Sequence, residues 1–221
     1  MNDKNVFIYY INLKKIAAIQ EVNNRLFPFV SKRILEKVNR YYNEMDKIRT
    51  MLGEFLVRYS LINDFGVDIC DSELQRTAAG KPIYHNGEIC SSISHKEEFV
   101  ICAVSKHEVG IDIELIRNSP NLGVVNRFFS NKEKTMMFLC SSQDEQAKLF
   151  YQLWTQKEAA YKIDNLLFGS DESNLKYQFY NIDISNSYVC SLCCSKNRSE
   201  IHIRELFLDN ILRCFNNVNF C

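Results

Sequence analysis

Residues 109–114 read Val-Gly-Ile-Asp-Ile-Glu, an alternation of apolar and polar side chains that predicts a strand with one buried face. The apolar side chains face a core, whereas Asp112 and Glu114 project together from the opposite face. Gly110 lies beside them and leaves room for another group to approach. Two carboxylates on one face repel each other, and a divalent cation relieves that repulsion. The alternative is a half-exposed strand with two solvated acids.

A second pattern occurs in residues 154–162, which read as one helix. Trp154, Glu158 and Lys162 lie four residues apart and share one helical stripe. Glu158 and Lys162 either form an ion pair across one turn or serve a site as a carboxylate and a phosphate contact. Two shorter patterns are also ambiguous. Ser94-His95 is either an anion contact or a plain turn. Glu133 is the acid of a capping box that Ser130 begins, and this structural role does not exclude a chemical role for Glu133.

Around these patterns the chain predicts an α+β protein. Residues 46–64 repeat apolar side chains at helical spacing, and Asn86-Gly87 marks a tight turn between two strands. A second capping box at 142–145 opens a long helix that reaches Lys162. The predicted strands are 6–11, 99–104 and 109–115 (the last two as a hairpin), 175–184, 188–194, 200–208 and 211–220. These elements form either one compact unit or two similar subdomains that meet near residue 107.

Composition excludes several classes. The 221 residues carry 27 basic and 27 acidic side chains, so the net charge is zero, although residues 1–50 hold ten basic and five acidic ones. Such a basic region attracts phosphates or forms a solvated face. With 7 glycines the chain shows no Gly-rich phosphate loop, and no signal peptide or membrane span is apparent. The 9 scattered cysteines predict free thiols in a reducing cytoplasm. Cys190, Cys193 and Cys194 are half a zinc site or strand residues.

Five motifs in order resemble the 4′-phosphopantetheinyl transferases, in particular the larger two-subdomain type that activates surfactin synthetase and similar enzymes. They are Gly80-Lys81-Pro82, Ile93-Ser94-His95, the stretch 109–114, Arg127-Phe128-Phe129-Ser130 with Glu133, and Trp154 with Lys157-Glu158-Ala159 and Lys162. The resemblance covers residues 32–162. It implies an α+β fold with two subdomains, 1–107 and 108–221, that are related by a pseudo-twofold axis and hold the active site at their interface.

The resemblance also implies a reaction of the holo-acyl-carrier-protein synthase type. Coenzyme A donates its phosphopantetheine arm to a serine of an apo carrier protein from fatty acid, polyketide or nonribosomal peptide synthesis, and 3′,5′-ADP leaves. The resemblance assigns Mg²⁺, with Mn²⁺ as an alternative, to Asp112, Glu114 and Glu158, and catalytic roles to Glu133, Glu158, Lys162 and His95. It assigns coenzyme A contacts to Lys37, Arg49, Thr50, Gly80, Lys81, Pro82, Ser94, His95 and Lys162. The expected protein is a cytoplasmic monomer that binds neither nucleic acid nor membranes.

The sequence departs from the family at three places. One is Ser91-Ser92, which stands where Phe-Asn is more usual before Ile93-Ser94-His95. Ile34 stands where a second lysine is common, so Lys32 or Arg33 is the candidate substitute. Lys96-Glu97-Glu98 follows His95, where a small residue and Gly are commoner. Two other functions stay open. One is a different metal-dependent phosphate-ester enzyme, and the other is a non-catalytic module that binds coenzyme A or a carrier.

Overall fold

The computed structural model describes residues 5–16, 19–67, 75–76, 82–84, 88–164, 176–196 and 200–216. These residues form seven α-helices and nine strands. In chain order they are β1 (Asn5–Asn12), α1 (Ile19–Leu26), α2 (Lys32–Val38), α3 (Glu44–Phe65), β2 (Gln75–Arg76), β3 (Pro82–Tyr84), β4 (Ile89–Lys96), β5 (Phe99–Ser105), β6 (Val109–Leu115), α4 (Leu122–Phe128), α5 (Asn131–Phe138), α6 (Gln143–Asp164), β7 (Tyr177–Asn181), β8 (Tyr188–Ser195), β9 (Glu200–Glu205) and α7 (Leu208–Asn216).

The strands form two sheets, which confirms the α+β class. The larger sheet has six strands in the order β2-β3-β4-β5-β1-β9, and the smaller has three in the order β6-β8-β7. The one parallel pair among them is β1 with β9. Within the described residues, no helix is both long enough and apolar enough to cross a membrane.

The predicted hairpin between 99–104 and 109–115 is wrong, although both segments are strands. β5 pairs with β1 along one edge and with β4 along the other, so it has no free edge for β6. β6 pairs with β8 instead and begins the smaller sheet. The short polar connection between the two segments therefore passes from one sheet to the other.

The C-terminal segment differs more from the prediction, because 211–220 was expected to be a strand. α7 covers Leu208–Asn216, and its residues Leu208, Ile211, Leu212 and Phe215 are all buried. Their spacing of three and four is helical, and they pack into the core that also covers α3. Thus β9 and α7 return to the larger sheet from beyond the predicted boundary at residue 107. That boundary and the pseudo-twofold axis stay predictions.

α3 confirms the helix predicted at 46–64, and its buried side chains make up much of the larger hydrophobic core. It begins where the Asn43 side chain accepts a hydrogen bond from the backbone N–H of Met45. It ends at Gly66, whose φ of 65° is left-handed and favours glycine. Phe55 and Leu56 on this helix are fully buried. The helix thereby backs β4 and β5, which lead to the site.

Candidate functional site at the junction of the two sheets

β4 and β6 meet where the two sheets join, and their contact is made by serine hydroxyls. The Ser92 Oγ accepts a hydrogen bond from the backbone N–H of Ile111 at 3.1 Å. The Ser94 Oγ accepts one from the N–H of Ile113 at 3.4 Å. The outer edge of β6 is thus satisfied by side chains of β4 rather than by a strand backbone. This contact brings Ser94 next to Asp112.

Asp112 is the centre of the site and is 6% exposed. Its Oδ1 accepts hydrogen bonds from the Ser94 Oγ at 2.8 Å and from the Lys162 Nζ at 2.7 Å. Its Oδ2 is buried and finds no donor within the part of the chain that the structure describes. A buried carboxylate with one free oxygen is costly unless a positive charge compensates it. Lys162 supplies part of that charge.

α6 reaches Asp112 because Gly110 lets the helix lie directly on β6. A Cβ at position 110 would stand 1.9 Å from the carbonyl oxygen of Ala159. The room expected beside Gly110 is therefore taken up by the helix. This contact holds Glu158 and Lys162 over the acidic face of β6.

Lys162 bonds with β6 and not with its helical neighbour. Its Nζ donates to the Ile111 carbonyl at 2.9 Å and to Asp112. The ion pair between Glu158 and Lys162 considered above is thus replaced by a contact between α6 and β6. Glu158 makes no hydrogen bond or ion pair with any described residue. Its partial burial, followed by the negative charges of Asp112 and Glu114, raises its carboxyl pKa above the ordinary value despite Lys162.

The three acids assigned to a metal by resemblance therefore share one electrostatic neighbourhood, but they are held differently. Glu114 forms an ion pair with Lys96 at 2.6 Å. Among the residues described, no group of three or more His, Cys, Asp or Glu side chains is placed to hold a metal ion. The donor set still fits a hard cation. The Asp112 Oδ2 has no donor, Glu158 has no partner among the described side chains, and carboxylate oxygens are what Mg²⁺ prefers.

A cationic group lies next to these acids. Partial burial lowers the pKa of the His95 imidazole, and the positive charges of Arg49, Lys162 and Lys37 lower it further, against the opposing effect of Asp46. The structure thus brings together four of the side chains expected to contact an anionic nucleotide. Neutral His95 beside these cations is suited to donating or accepting a hydrogen bond at a phosphate.

The other expected coenzyme A contacts are less informative. Thr50 is half-buried on α3. Gly80 and Lys81 lie outside the described residues, and of Pro82 the structure describes the backbone at the start of β3. None of these assignments is tested by the structure.

The departure at Ile34 has a structural reason. Ile34 is 4% exposed on α2, where it joins the larger core, so it contributes no charge. Of the two candidate substitutes, Arg33 forms an ion pair with Glu54 at 3.1 Å, whereas Lys32 is exposed. Lys32 is therefore the more available cation.

Glu133 is engaged by structural bonds on both carboxylate oxygens. The predicted capping box is confirmed, because the Ser130 N–H and Oγ both donate to Oε2. Oε1 pairs at 2.8 Å with the Nζ of Lys157, which is also 5.3 Å from the centre of the Phe129 ring. Burial raises the pKa of Glu133, but the hydrogen bonds from Lys157 and Ser130 outweigh burial and lower it below the ordinary value. Lys157 was not among the predicted site residues, although it stands in the fifth of the five motifs.

The cysteine cluster lies inside the protein. Cys190, Cys193 and Cys194 are buried in β8. They pack in the apolar cores of the smaller sheet. The strand interpretation is therefore confirmed.

The fold and the site together define an α+β protein in which a buried acid, two further carboxylates and a cationic group meet between two sheets. Comparison with known proteins gives this class a family. A family model described as "4'-phosphopantetheinyl transferase, N-terminal" matches residues 20–107. A second, described as "4'-phosphopantetheinyl transferase superfamily", matches residues 108–208. The chain belongs to the 4′-phosphopantetheinyl transferase superfamily and is of its larger type.

Individual relatives agree with this assignment. The chain is 37% identical over 145 residues to 4′-phosphopantetheinyl transferase Sfp of Bacillus subtilis strain 168, a match that covers 65% of this chain and 63% of that protein. It is 33% identical over 156 residues to 4′-phosphopantetheinyl transferase gsp of Aneurinibacillus migulanus, covering 69% of this chain and 65% of that protein. It is 27% identical over 216 residues to 4′-phosphopantetheinyl transferase psf-1 of Bacillus pumilus, a match that covers 88% of this chain and 91% of that protein. The matches to Sfp and gsp thus span a little under two thirds of those relatives.

Proposed function

We propose that this protein transfers the 4′-phosphopantetheine arm of coenzyme A to a serine hydroxyl of an apo carrier protein. The β-phosphorus gains a bond to the serine oxygen and loses its bond to the leaving 3′,5′-ADP, and the serine proton passes to a base. The observation that carries the proposal is the Asp112 cluster. A buried carboxylate with one unpartnered oxygen lies against Lys162, with Glu158 close enough for their charges to interact.

The acidic face of β6 supplies the ligands for a divalent cation in this proposal. Asp112, Glu114 and Glu158 would hold Mg²⁺ or Mn²⁺, which would neutralise charge on the pyrophosphate oxygens. Lys162 is already fixed on Asp112 and adds positive charge beside the same oxygens. His95 on β4 and Arg49 on α3 would contact the phosphates of the donor and orient them.

Glu158 is better suited than Glu133 to accept the serine proton. Both oxygens of Glu133 are occupied by Ser130 and Lys157, and its pKa is lowered. Among the described residues Glu158 carries no such bonds, so one of its oxygens is available for the proton even when the other binds the cation. We therefore assign the proton to Glu158 and give Glu133 the task of fixing α5 to α6.

An exposed apolar patch next to α5 is the candidate docking surface for the carrier. Met136 and Phe138 on α5 are 44% and 83% exposed, whereas Met137 between them is buried. Leu139, directly after α5, and Leu122, on α4, are also exposed, at 73% and 70%. Large apolar side chains grouped on a surface indicate a partner.

The release of 3′,5′-ADP from coenzyme A tests the proposal and separates it from the two alternatives. With Mg²⁺ present, we expect release to require an apo carrier and to stop on addition of EDTA. Glu158→Gln should abolish it, whereas Glu44→Gln, a change of equal charge at the exposed start of α3, should not. Release without a carrier would indicate a hydrolase. Binding of coenzyme A without release on several carriers would indicate a binding module.

A transferase of this kind uses cytoplasmic substrates and has both halves of the site in one chain. We accordingly propose a monomer that acts in the cytoplasm.

A further inference from the structure

We infer that Lys96 belongs to the metal-binding part of the site, where it competes with the divalent cation for Glu114. The inference rests on the metal set proposed above. It adds a residue that tunes how strongly the site takes up the ion.

The contact is built into the junction between β4 and β6. Ser92 and Ser94 bond to β6 at Ile111 and Ile113, and Lys96 continues the series two residues further along β4. Its Nζ lies 2.6 Å from the Glu114 Oε2. The two side chains are 30% and 20% exposed, so the pair is more protected from solvent than an ordinary surface ion pair.

The turn that follows Lys96 is held from two sides. Glu97 has a φ of 46°, and its carbonyl oxygen accepts a hydrogen bond from the Arg49 Nε at 2.8 Å. The Glu98 carboxylate pairs with the Lys14 Nζ at 2.8 Å and also accepts from the Tyr188 hydroxyl. Because these bonds fix the backbone next to it, Lys96 is kept within reach of Glu114. This is also the segment where the sequence departs from its family.

The ammonium of Lys96 therefore compensates Glu114 when no cation is bound. Lys162 compensates Asp112 in the same way, but it leaves the Oδ2 without a donor, and Glu158 is unpartnered among the described residues. At Glu114 the ammonium of Lys96 holds Oε2, so a cation that binds this carboxylate must displace Lys96 or bear the repulsion of its positive charge. Displacing Lys96 from Glu114 lowers the net affinity for the ion.

Titration with Mn²⁺ alone, followed by the electron paramagnetic resonance signal of the free ion, tests this without any turnover. We expect Lys96→Gln to bind Mn²⁺ about fivefold more tightly than the unchanged protein, the factor that a partly protected ion pair of about 1 kcal/mol would give. Lys15→Gln is the matched control, because Lys15 forms an ion pair at 2.7 Å with Glu205 on other elements. It removes the same charge and should leave the affinity unchanged. The difference between Lys96→Gln and the control should shrink in 1 M salt.

Asp112→Asn separates the two proposals. If this change abolishes Mn²⁺ binding but Lys96→Gln binds no more tightly than Lys15→Gln, Lys96 is not a competitor and the metal site stands. If Mn²⁺ binding is absent, or persists unchanged in Asp112→Asn, the metal set itself is wrong and the role of Lys96 falls with it. Urea unfolding of each metal-free variant confirms that the protein compared is folded.

Discussion

Gly110→Ala is the substitution that tests most sharply how the site is assembled. The change adds one methyl group to β6 at the point where α6 crosses it. The added Cβ would lie 1.9 Å from the Ala159 carbonyl oxygen and 2.9 Å from its carbonyl carbon. Both atoms are backbone, so no side chain can rotate to make room. The helix itself has to move.

The size of the effect follows from these distances. Ordinary contact begins at 3.4 Å, so α6 must move away from β6 by about 1.5 Å. The pair between Lys162 and Asp112, now 2.7 Å long, would then exceed hydrogen-bond distance. We expect the free energy of unfolding to fall by about 3 kcal/mol, because overpacking a filled interface is this costly. We also expect the transfer rate to fall about 100-fold, since displaced catalytic groups lose that much.

Gly123→Ala provides the control. Gly123 lies on α4, and a Cβ there would stand 3.3 Å from the Oδ1 of Asn121, the residue that caps this helix. Alanine also favours a helix by about 1 kcal/mol over glycine. Urea unfolding of the two variants and a carrier-transfer assay measure both effects. If Gly110→Ala is as stable and as active as Gly123→Ala, then α6 does not rest on Gly110, and the described assembly of the site is incorrect.

Three further predictions concern Glu133, Phe215 and Glu158. Glu133→Gln should lower the free energy of unfolding by about 1–2 kcal/mol at pH 7, because Lys157 loses a charged partner. Since the pKa of Glu133 is lowered, this stabilisation is complete above the unfolded pKa near 4.5 and is lost as the pH falls through the lowered pKa. Urea unfolding at pH 3 should therefore show a smaller difference between the variant and the unchanged protein. Phe215→Ala should lower the free energy of unfolding by about 4 kcal/mol in the same assay, because Phe215 is fully buried. Arg213→Ala should change it very little, because Arg213 is exposed on the same helix. Equal effects of the two changes would contradict the packing of α7. Glu158→Gln should stabilise the protein in EDTA at pH 7, because burial and nearby acids raise the pKa of Glu158 and make its ionised form unfavourable. The gain in the free energy of unfolding should shrink as the pH falls through that raised pKa and vanish below the unfolded value near 4.5; a loss of stability at pH 7 would refute this.

The parts of the fold that could be predicted are those set by neighbouring residues. The helix at 46–64, the strand at 6–11 and the capping box of Ser130 and Glu133 each follow from spacing or from a local hydrogen bond. The alternation in 109–114 likewise identified the strand and both of its faces. Such signals act over a few residues, and no other part of the chain can override them easily.

The pairing of strands that lie far apart in the sequence could not be predicted from such local signals. The partner of β6 depends on which edges are already occupied, and β5 is filled on both sides. α7 is a different case, because the spacing of Leu208, Ile211, Leu212 and Phe215 is helical and the signal was present. Because the segment is short and rich in apolar residues, its sequence is compatible with a strand as well as with a helix.

The site shows the same division. Asp112, Glu158 and Lys162 were recognisable as chemical groups from their spacing within β6 and α6. That Lys162 bonds to Asp112, 50 residues away in sequence, depends on the close crossing at Gly110. The ion pair between Lys96 and Glu114 depends on the junction of the two sheets, which no local pattern encodes.

The most direct test of the central claim is the intact mass of a purified apo carrier protein after incubation with this protein, coenzyme A and Mg²⁺. The account predicts a gain of about 340 Da on one serine, the mass of the phosphopantetheine group, and no gain when EDTA removes the metal. An unchanged mass across acyl, polyketide and peptidyl carriers, in a preparation shown to be folded, would contradict it. A gain that persists in EDTA would retain the transfer and reject the metal.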